Sequence, residues 1–360
     1  MKPRICLVAD VPNWAFDSIC QKLKKELSYK YDIRITYFNR RTEADDFYEF
    51  IEENSDHDLI HFLNRRILLL MGSKTFKEKV EKSGRNYKKY IKSIRKKIST
   101  AVYDYMDLDK DGILNLLPIY NKYSTMYYTA TNKLFKIYNS IEEYKKPDAM
   151  IYDICDEEQF VPMNLNRFDY NNIAKRKLVI GWAGNSTHSG DTGNDLKGFN
   201  KILKPVIDEL LNEGYELEEN YADRNVNFQN PDMMPIYYSN IDIYICVSLH
   251  EGTPRTALEA MNCGVPMIST DVGLISDAFG KKQSEFIIGD REDGEADEEI
   301  KQRLKERIIY LYNNRKILKK LSEENLKSIK KFSGKKIAKE FEVFFDKCLS
   351  SQNRKNEIKS

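Results

Sequence analysis

Residues 241–266 read IDIYICVSLHEGTPRTALEAMNCGVP, and this stretch decides the fold. Residues 241–247 form a nearly continuous apolar run, which is typical of a parallel strand buried on both faces. A short polar turn follows, and the apolar residues after it recur at helical spacing. Thr253 is suited to the N-cap of that helix and Pro254 to its first position. The stretch therefore predicts a strand, a turn and a helix in direct succession.

The same alternation of strands and helices runs through the whole chain. A helix is predicted at residues 15–27, directly after the first strand. Further helices are predicted within residues 295–331 and at residues 335–349. The predicted strands lie at residues 5–9, 33–38, 59–63, 100–103, 126–130, 150–154, 178–181, 241–247 and 265–269. Strands that alternate with helices are typical of α/β proteins with parallel sheets, and this is the predicted fold class.

The length of 360 residues is about twice that of a common single domain, so two domains are expected. The strand rhythm stops in the polar, Asn-rich residues 162–177, where we predict the linker. The predicted domains are residues 1–165 and 178–331. Residues 332–360 are predicted to form a helix that returns to the first domain, followed by a polar tail.

Composition excludes several classes of protein. The 58 basic and 56 acidic residues nearly balance, so overall charge gives no indication of nucleic-acid binding. No apolar run approaches the roughly 18 residues of a membrane-spanning helix. Asp10 interrupts the first apolar run, which therefore reads as a strand and not as a signal peptide. The six cysteines are scattered among apolar neighbours, as expected for reduced thiols in a cytoplasmic protein.

The turn and helix of residues 248–262 have the features of an anion site. Amides of Arg255, Thr256 and Ala257 at the predicted helix start, together with the helix dipole, favour negative charge. Open α/β sheets also bind ligands where their strands end. Glu259 stands on the same, otherwise apolar helix, so its carboxylate needs donors. Ribose hydroxyls, backbone amides or a lysine would each supply them.

This stretch resembles the E-x7-E signature of the retaining GT4 glycosyltransferases, which have the GT-B fold. The matching residues are Glu251, Gly252, Pro254, Glu259, Ala260, Gly264 and Pro266, followed by residues 270–273. Residues 181–185, 195–199 and 231–242 also resemble segments of that family. The likeness covers roughly residues 150–275. It implies two Rossmann-like domains that face each other across a cleft, with a nucleotide-sugar donor in the second domain and the acceptor in the first.

The resemblance also implies roles for individual residues. Lys197 would neutralise the donor diphosphate, Glu251 would contact the donor sugar, and Glu259 would bind the ribose. Lys197 and Glu251 are therefore the predicted catalytic residues. The predicted donor-binding residues are Gly184, Asn185, Lys197, Gly252, Thr253, Pro254, Arg255, Thr256 and Glu259.

Three positions depart from the family pattern. Asn185 or Ser186 stands where a second cation is usual, and Arg255 is a candidate substitute. The N-terminal Gly-Gly loop is replaced by a segment containing Asn13 and Trp14. The mid-domain histidine is absent, and Tyr105 lies near its place. The candidate acceptor residues are Asn13, Trp14, His61 and Tyr105. For His61, an acceptor-site base and a buried polar group are both compatible with the sequence.

Residues 74–97 carry a strong excess of lysine and arginine, with apolar residues at helical spacing. A basic amphipathic helix of this kind fits an anionic membrane surface, which would place the protein peripherally at the membrane. A solvated helix that docks on the sheet explains the pattern equally well. No nucleic-acid recognition module accompanies these residues, so nucleic acid is not a predicted partner.

We predict neither a metal nor a cofactor. Residues 107–112 resemble the start of a calcium loop, but Pro118 stands where the twelfth-position glutamate is required. The predicted function is transfer of a sugar from a nucleoside diphosphate sugar to a saccharide or lipid-linked saccharide, in bacterial surface polysaccharide synthesis. The alternatives are a sugar-nucleotide epimerase or hydrolase, and a non-catalytic subunit that binds nucleotide sugars.

Overall fold

A computed structural model describes residues 1–187, 195–291 and 296–357, with side chains described as far as residue 352. The chain divides into two compact units. The first comprises Met1–Ile154 and Gly334–Ser360, and the second comprises Cys155–Ser333. Each unit has its own parallel sheet.

The sheet of the first unit has six strands in the order β2-β1-β3-β4-β5-β6, and every neighbouring pair is parallel. The strands are β1 (Arg4–Ala9), β2 (Asp32–Tyr37), β3 (Leu59–Phe62), β4 (Ile98–Val102), β5 (Met126–Thr129) and β6 (Ala149–Met150). All six lie where strands were predicted. Only β6 is much shorter than predicted, since residues 151–154 continue without strand pairing.

Helices cover both faces of this sheet. They are α1 (Ala15–Leu27), α2 (Phe47–Glu53), α3 (Lys74–Lys82), α4 (Tyr87–Ile94), α5 (Lys110–Pro118), α6 (Asn132–Ser140) and α14 (Gly334–Glu357). Because side chains alternate along a strand, Cys6 and Val8 pack with α2 to α6, while Ile5 and Leu7 pack with α1 and α14. Burial on both faces explains why β1 is apolar throughout.

The basic segment forms two helices and not one. Helix α3 ends at Lys82 and α4 begins at Tyr87, because Gly84 adopts a positive φ of 78° between them. The apolar faces of both helices are buried in the core of the first unit, through Phe76, Val80, Tyr90, Ile91 and Ile94. The segment therefore docks on its own unit, and only its basic face remains in solvent.

The second unit has a four-stranded parallel sheet in the order β10-β9-β7-β8. Its strands are β7 (Leu178–Gly184), β8 (Leu217–Asp223), β9 (Ile243–Cys246) and β10 (Met267–Ser269). Its helices are α7 (Tyr170–Ile173), α8 (Lys204–Asn212), α9 (Met234–Ser239), α10 (Arg255–Asn262), α11 (Ile275–Ala278), α12 (Asp297–Asn313) and α13 (Lys316–Ser328). Strand β8 was not predicted, since an edge strand reading LEENYAD has no apolar run.

Residues 162–177 are not a linker. Phe168 and Ile173 are buried in the core of the second unit, and the Arg167 guanidinium donates to the Tyr238 and Ser239 carbonyls. The second unit begins at Cys155, which pairs as a parallel bridge with Ser333. Most other residues of this segment are exposed, and the buried side chains of Arg167, Phe168 and Ile173 anchor it to the second unit.

Candidate donor site

The strand order of the second unit reverses between β7 and β9, since the chain passes from β7 outward to β8 and then returns to β9. Ligands of open α/β sheets bind beyond the carboxyl ends of the strands at such a switch point. Gly184 ends β7, and residues 247–254 connect β9 to α10. The residues predicted to bind the donor therefore lie on segments that leave this one edge of the sheet.

Helix α10 begins one residue later than predicted. Its N-cap residue is Pro254 and not Thr253, and no side chain caps it. The amides of Ala257 and Leu258 donate to the Pro254 carbonyl, at 3.0 and 3.2 Å. The amide of Ala257, one of the three predicted to meet an anion, is therefore already bonded within the helix. An anion at this terminus would meet the amides that precede Ala257.

Lys197 and Glu251 form an ion pair, with 2.5 Å between Lys197 Nζ and Glu251 Oε1. The same oxygen accepts a hydrogen bond from Ser248 Oγ at 2.9 Å. The two charged side chains are 28% and 15% exposed. Burial alone would lower the pKa of Lys197, but the charge and hydrogen bond of Glu251 raise it above its ordinary value. Lys197 is therefore a cation at neutral pH.

The backbone holds the two segments of this pair together. The Leu249 amide donates to the Leu196 carbonyl at 2.8 Å, which ties the Lys197 loop to the turn after β9. Gly198 has a φ of 68°, and a Cβ there would lie 2.2 Å from the Val247 carbonyl oxygen. Only glycine allows this close approach, so Gly198 contributes directly to the position of Lys197.

Glu259 lies on α10 and is half-buried. The Tyr238 hydroxyl donates to Glu259 Oε2 at 3.0 Å. Burial, followed by the charge of Glu259, raises the pKa of Tyr238 well above its ordinary value, so the phenol stays protonated as a donor. This tyrosine was not among the predicted donors for Glu259, although its position near the start of the predicted 241–247 strand was a usable signal.

Other polar groups on this edge were also missed by the sequence analysis. The Tyr244 hydroxyl lies 2.7 Å from Thr256 Oγ1 on α10. Asp223, at the end of β8, accepts hydrogen bonds from the Ser186 amide and from the following loop. Asn185 Oδ1 accepts from Asn225 Nδ2 at 2.5 Å. The Asn185 side chain therefore stabilises the loop after β7.

Comparisons with known proteins point to one group of transferases. Residues 211–327 match the family model of the glycosyl transferases group 1, a span that contains Glu251 and Glu259. The crystal structure of Anabaena HepE in complex with UDP and glucose aligns with a TM-score of 0.64 and 12% identity. That alignment covers 96% of this chain and all of the HepE chain. The structural neighbours are GT-B glycosyltransferases.

The chain has the GT-B fold. The predicted α/β class and the resemblance to this group are thereby confirmed. The narrower GT4 assignment and the roles within the E-x7-E signature stay predictions.

Two curated proteins share sequence with this GT-B chain. Protein CapJ of Staphylococcus aureus is 27% identical over 153 residues, which are 36% of this chain and 37% of CapJ. The GtfA subunit of the UDP-N-acetylglucosamine–peptide N-acetylglucosaminyltransferase of Streptococcus agalactiae is 23% identical over 164 residues. This alignment covers 44% of this chain and 32% of GtfA. The chain therefore spans about a third of the length of these relatives.

The candidate acceptor residues of the first unit of this GT-B chain differ in accessibility. Asn13 has a φ of 61° and its amide donates to Asp17 Oδ2, while Trp14 is 55% exposed. Both follow β1 at the carboxyl edge of the sheet. Tyr105 is half-buried, and Lys133 Nζ lies 5.9 Å from its ring centroid. These three residues remain accessible candidates.

His61 is not an accessible residue. It is fully buried in the core, where its ring stacks on Tyr128 and meets Phe344 edge-on, while its Nδ1 lies 2.9 Å from Ser99 Oγ. Burial lowers the pKa of His61 to about 3. The sequence left open a catalytic base or a buried polar group. The structure shows the buried group, because a side chain that faces the core cannot touch an acceptor.

Within the described residues no cluster of three or more His, Cys, Asp or Glu side chains has the spacing of a metal site. Asp109, from the segment that resembles a calcium loop, caps α5 by accepting from the Gly112 amide at 2.8 Å. All six cysteines are buried thiols. No helix in the described parts of the chain has the length and hydropathy of a membrane span.

Proposed function

We propose that this chain is a retaining glycosyltransferase that moves a sugar from a nucleoside diphosphate sugar to a saccharide or lipid-linked saccharide acceptor, in the synthesis of a bacterial surface polysaccharide. The observation that carries the proposal is the ion pair of Lys197 and Glu251 at the switch point of the second unit, on the segment that leads into α10. The family match over residues 211–327 supports it, as does the UDP and glucose bound to HepE.

Each of the three parts of such a donor has candidate partners in the site. The diphosphate would lie against Lys197 and the start of α10, where a cation and helix amides favour negative charge. The ribose hydroxyls would donate to Glu259, beside the Tyr238 hydroxyl. The sugar hydroxyls would reach Glu251. We assign acceptor binding to the first unit, with Asn13, Trp14 and Tyr105 as the candidate residues.

The chemistry requires stabilisation of a leaving group. The bond between the anomeric carbon and the diphosphate oxygen breaks, and the diphosphate keeps the electron pair. The acceptor oxygen forms the new bond to the anomeric carbon, and the proton of the acceptor hydroxyl passes to the departing diphosphate. Negative charge therefore grows on the diphosphate as the reaction proceeds. A prepositioned ammonium and helix amides stabilise such charge without reorganising in the transition state.

The first test is a thermal-shift screen of UDP, GDP and ADP sugars, followed by product analysis with and without saccharide acceptors. We expect one donor class to stabilise the protein and to glycosylate an acceptor with retained anomeric configuration. Because the name of GtfA describes a peptide acceptor, the acceptor panel includes a peptide. Conversion of the donor without any acceptor would instead establish an epimerase or hydrolase. Donor binding without turnover would establish a binding subunit.

We propose that transfer needs no divalent metal, since Lys197 and the start of α10 provide the positive charge that Mg²⁺ or Mn²⁺ supplies in many enzymes. Arg255, on the first turn of α10, is the candidate for a second cation. Activity is measured in excess EDTA and with each metal added back. Retained activity in EDTA agrees with the proposal, whereas complete loss that Mn²⁺ restores contradicts it.

We also propose that the basic face of α3 and α4 binds an anionic membrane surface. Lys88, Lys89 and Lys92 are exposed on α4 and Lys96 is half-exposed directly after it. With the apolar faces of these helices buried, the attraction is electrostatic and would be worth about 1 kcal/mol for each basic residue near the lipid. Lys97 does not take part, since its ammonium donates to the Ser55 and His57 carbonyls.

The membrane proposal is tested by co-sedimentation with phosphatidylglycerol vesicles at low and high salt. We expect the wild-type protein to bind at low salt, and binding to fade as salt rises. Substitution of Lys88, Lys89, Lys92 and Lys96 with Gln should abolish it. The matched control replaces four exposed lysines of α14 in the same unit, Lys335, Lys336, Lys339 and Lys347. Equal loss in both variants, or no wild-type binding at low salt, contradicts the proposal.

A further inference from the structure

We propose that Glu251 is the resident counter-ion of the diphosphate site, which holds Lys197 until a donor sugar draws the carboxylate away, and that Ser248 is the residue that positions this carboxylate. The inference rests on the proposed function and deepens it. It predicts that the site discriminates between the intact donor and the free nucleoside diphosphate that remains after transfer.

The first support is the geometry of the pair. Glu251 Oε1 accepts from Lys197 Nζ at 2.5 Å and from Ser248 Oγ at 2.9 Å. One oxygen thus accepts from both side chains, and the charge of the ammonium is already balanced before any ligand is present. A diphosphate that approaches this pair meets no net charge from it. Strong attraction requires that the ion pair open.

The second support is that neighbouring segments hold the backbone that carries Ser248 and Glu251. Ser248 is only 3% exposed, and its carbonyl accepts from Thr270 Oγ1 at 2.9 Å. Gly273 has a φ of 57°, and a Cβ there would lie 2.3 Å from the Gly252 carbonyl oxygen. The loop after β10 therefore packs directly against the turn that carries Glu251. The backbone is held, so the side chains of Lys197 and Glu251 are the parts that can separate.

The intact donor and the free nucleoside diphosphate differ in the hydrogen bonds that they can donate to Glu251. The hydroxyls of a donor sugar are hydrogen-bond donors, and they can replace the ammonium as partners of the carboxylate. Free nucleoside diphosphate lacks the donor sugar and therefore its hydroxyls. With the free diphosphate, opening the pair leaves a partly buried carboxylate short of donors, which costs free energy. The ion pair therefore disfavours the free diphosphate relative to the intact donor and promotes its release after transfer.

The test compares UDP, GDP and ADP with their glucose conjugates by isothermal titration calorimetry. In Glu251→Gln the ammonium has no ionised partner, so we expect the free nucleoside diphosphate to bind about tenfold more tightly, a change of about 1.4 kcal/mol. The glucose conjugate should gain less than the free diphosphate, because it loses its contact with the carboxylate. The dissociation constant of the free diphosphate divided by that of the glucose conjugate therefore falls, and this quotient is the ratio compared below.

Ser248→Ala tests the positioning role. It should shift the same ratio in the same direction by a smaller factor, and Ser248→Thr, which keeps the hydroxyl, should restore it. A serine that only supports the fold would change the melting temperature and leave the ratio unchanged. Glu259→Gln is the matched control, since it alters a carboxylate of the same site and should weaken diphosphate and conjugate alike.

Each outcome decides between the ideas. Unchanged or weaker binding of the free diphosphate by Glu251→Gln, with its melting temperature preserved, overturns the counter-ion role. The positioning role is overturned if Ser248→Ala leaves the ratio of dissociation constants unchanged. It is also overturned if Ser248→Thr does not return the ratio to its wild-type value. If the wild-type protein binds none of the three nucleotides or their conjugates, the proposed function itself fails.

Discussion

The two units have the same kind of switch point and use its charged residues differently. In the first unit the order reverses between β1 and β3, and the loop after β3 carries Arg65. Arg65 is 3% exposed, and its guanidinium donates to both carboxylate oxygens of Asp104 and to the Tyr138 hydroxyl. In the second unit the corresponding edge carries Lys197 and Glu251, which are partly exposed.

The difference shows that charge at a sheet edge is not by itself evidence of a ligand site. Burial alone would raise the pKa of Asp104, but Arg65 and Arg66 hold it below its ordinary value. This network uses its charges to stabilise the loops after β3 and β4. The pair in the second unit has a single hydrogen bond between its charges and access to solvent, so a ligand can compete for it. Four predictions test this contrast, from the largest expected effect to the smallest.

Removal of the Asp104 charge should affect folding first. Asp104→Asn leaves the Arg65 guanidinium buried without its ionised partner, which costs about 3–5 kcal/mol of unfolding free energy. Urea unfolding followed by circular dichroism measures this loss. The matched control is Asp107→Asn, because Asp107 pairs with Arg66 in an exposed bridge worth less than about 1 kcal/mol. Equal losses in both variants would show that the Arg65 network stabilises the first unit no more than an exposed bridge does.

Removal of the Lys197 charge should affect catalysis instead. Lys197→Met takes away a cation next to the leaving diphosphate, and we expect kcat to fall by about 10²–10³-fold, or about 2.7–4 kcal/mol. Initial-rate kinetics with saturating donor measure this effect. Lys201→Met serves as the control, since Lys201 is an exposed lysine four residues further along. Unchanged kcat in Lys197→Met contradicts the assigned role.

The buried His61 should make the first unit sensitive to acid. Its folded pKa of about 3 lies below its ordinary value near 6.5, so between these values the unfolded chain binds a proton that the folded chain does not. The contribution of His61 to the free energy of unfolding is therefore fully present above about pH 6.5. It is lost, by up to about 1.4 kcal/mol per pH unit, as pH drops toward 3. His61→Asn should flatten the pH dependence of the unfolding free energy. Identical slopes in both proteins would contradict the burial of His61.

The smallest effect is expected at the ribose end of the site. Tyr238→Phe removes one hydrogen bond to Glu259, worth about 1 kcal/mol or roughly a fivefold weaker binding of nucleotide. Calorimetric titration with the preferred nucleoside diphosphate measures it. Tyr310→Phe, which alters an exposed tyrosine on α12, should leave the affinity unchanged. Binding unaffected by the loss of the Tyr238 hydroxyl would separate Glu259 from nucleotide recognition.

The sequence predicted the elements whose burial produces a clear pattern. β1 and β9 are apolar runs, and α1 has the predicted bounds of Ala15–Leu27. β8 was not predicted, because an edge strand needs few apolar residues and so leaves no clear pattern. The break between α3 and α4 depends on the positive φ of Gly84, which the amphipathic pattern on both sides concealed. The misread linker contains Arg167, whose burial depends on carbonyl partners more than 70 residues away.

The candidate site was predictable in composition and not in contacts. Glu251 and Glu259 stood out by their resemblance to the E-x7-E signature and by the apolar helix that carries Glu259. The bond between Lys197 and Glu251 joins residues 54 positions apart, so only the folded sheet brings them together. The partners Ser248 and Tyr238 were missed for a different reason. Serine and tyrosine are common at strand ends, and their roles become visible only when a carboxylate lies within hydrogen-bond distance.

The first unit cannot complete its core until helix α14, near the end of the chain, has been synthesised. Ile337, Phe341, Phe344, Phe345 and Cys348 belong to the core of the first unit, although 179 residues of the second unit, Cys155–Ser333, come between them and Ile154. At about 5–20 residues per second, a ribosome needs roughly 10–40 s to cross that span. During this time one face of β1 and β3 lacks one of the two helices that cover it. The second unit is continuous in sequence, so it can finish folding on the ribosome before the unit that was started first.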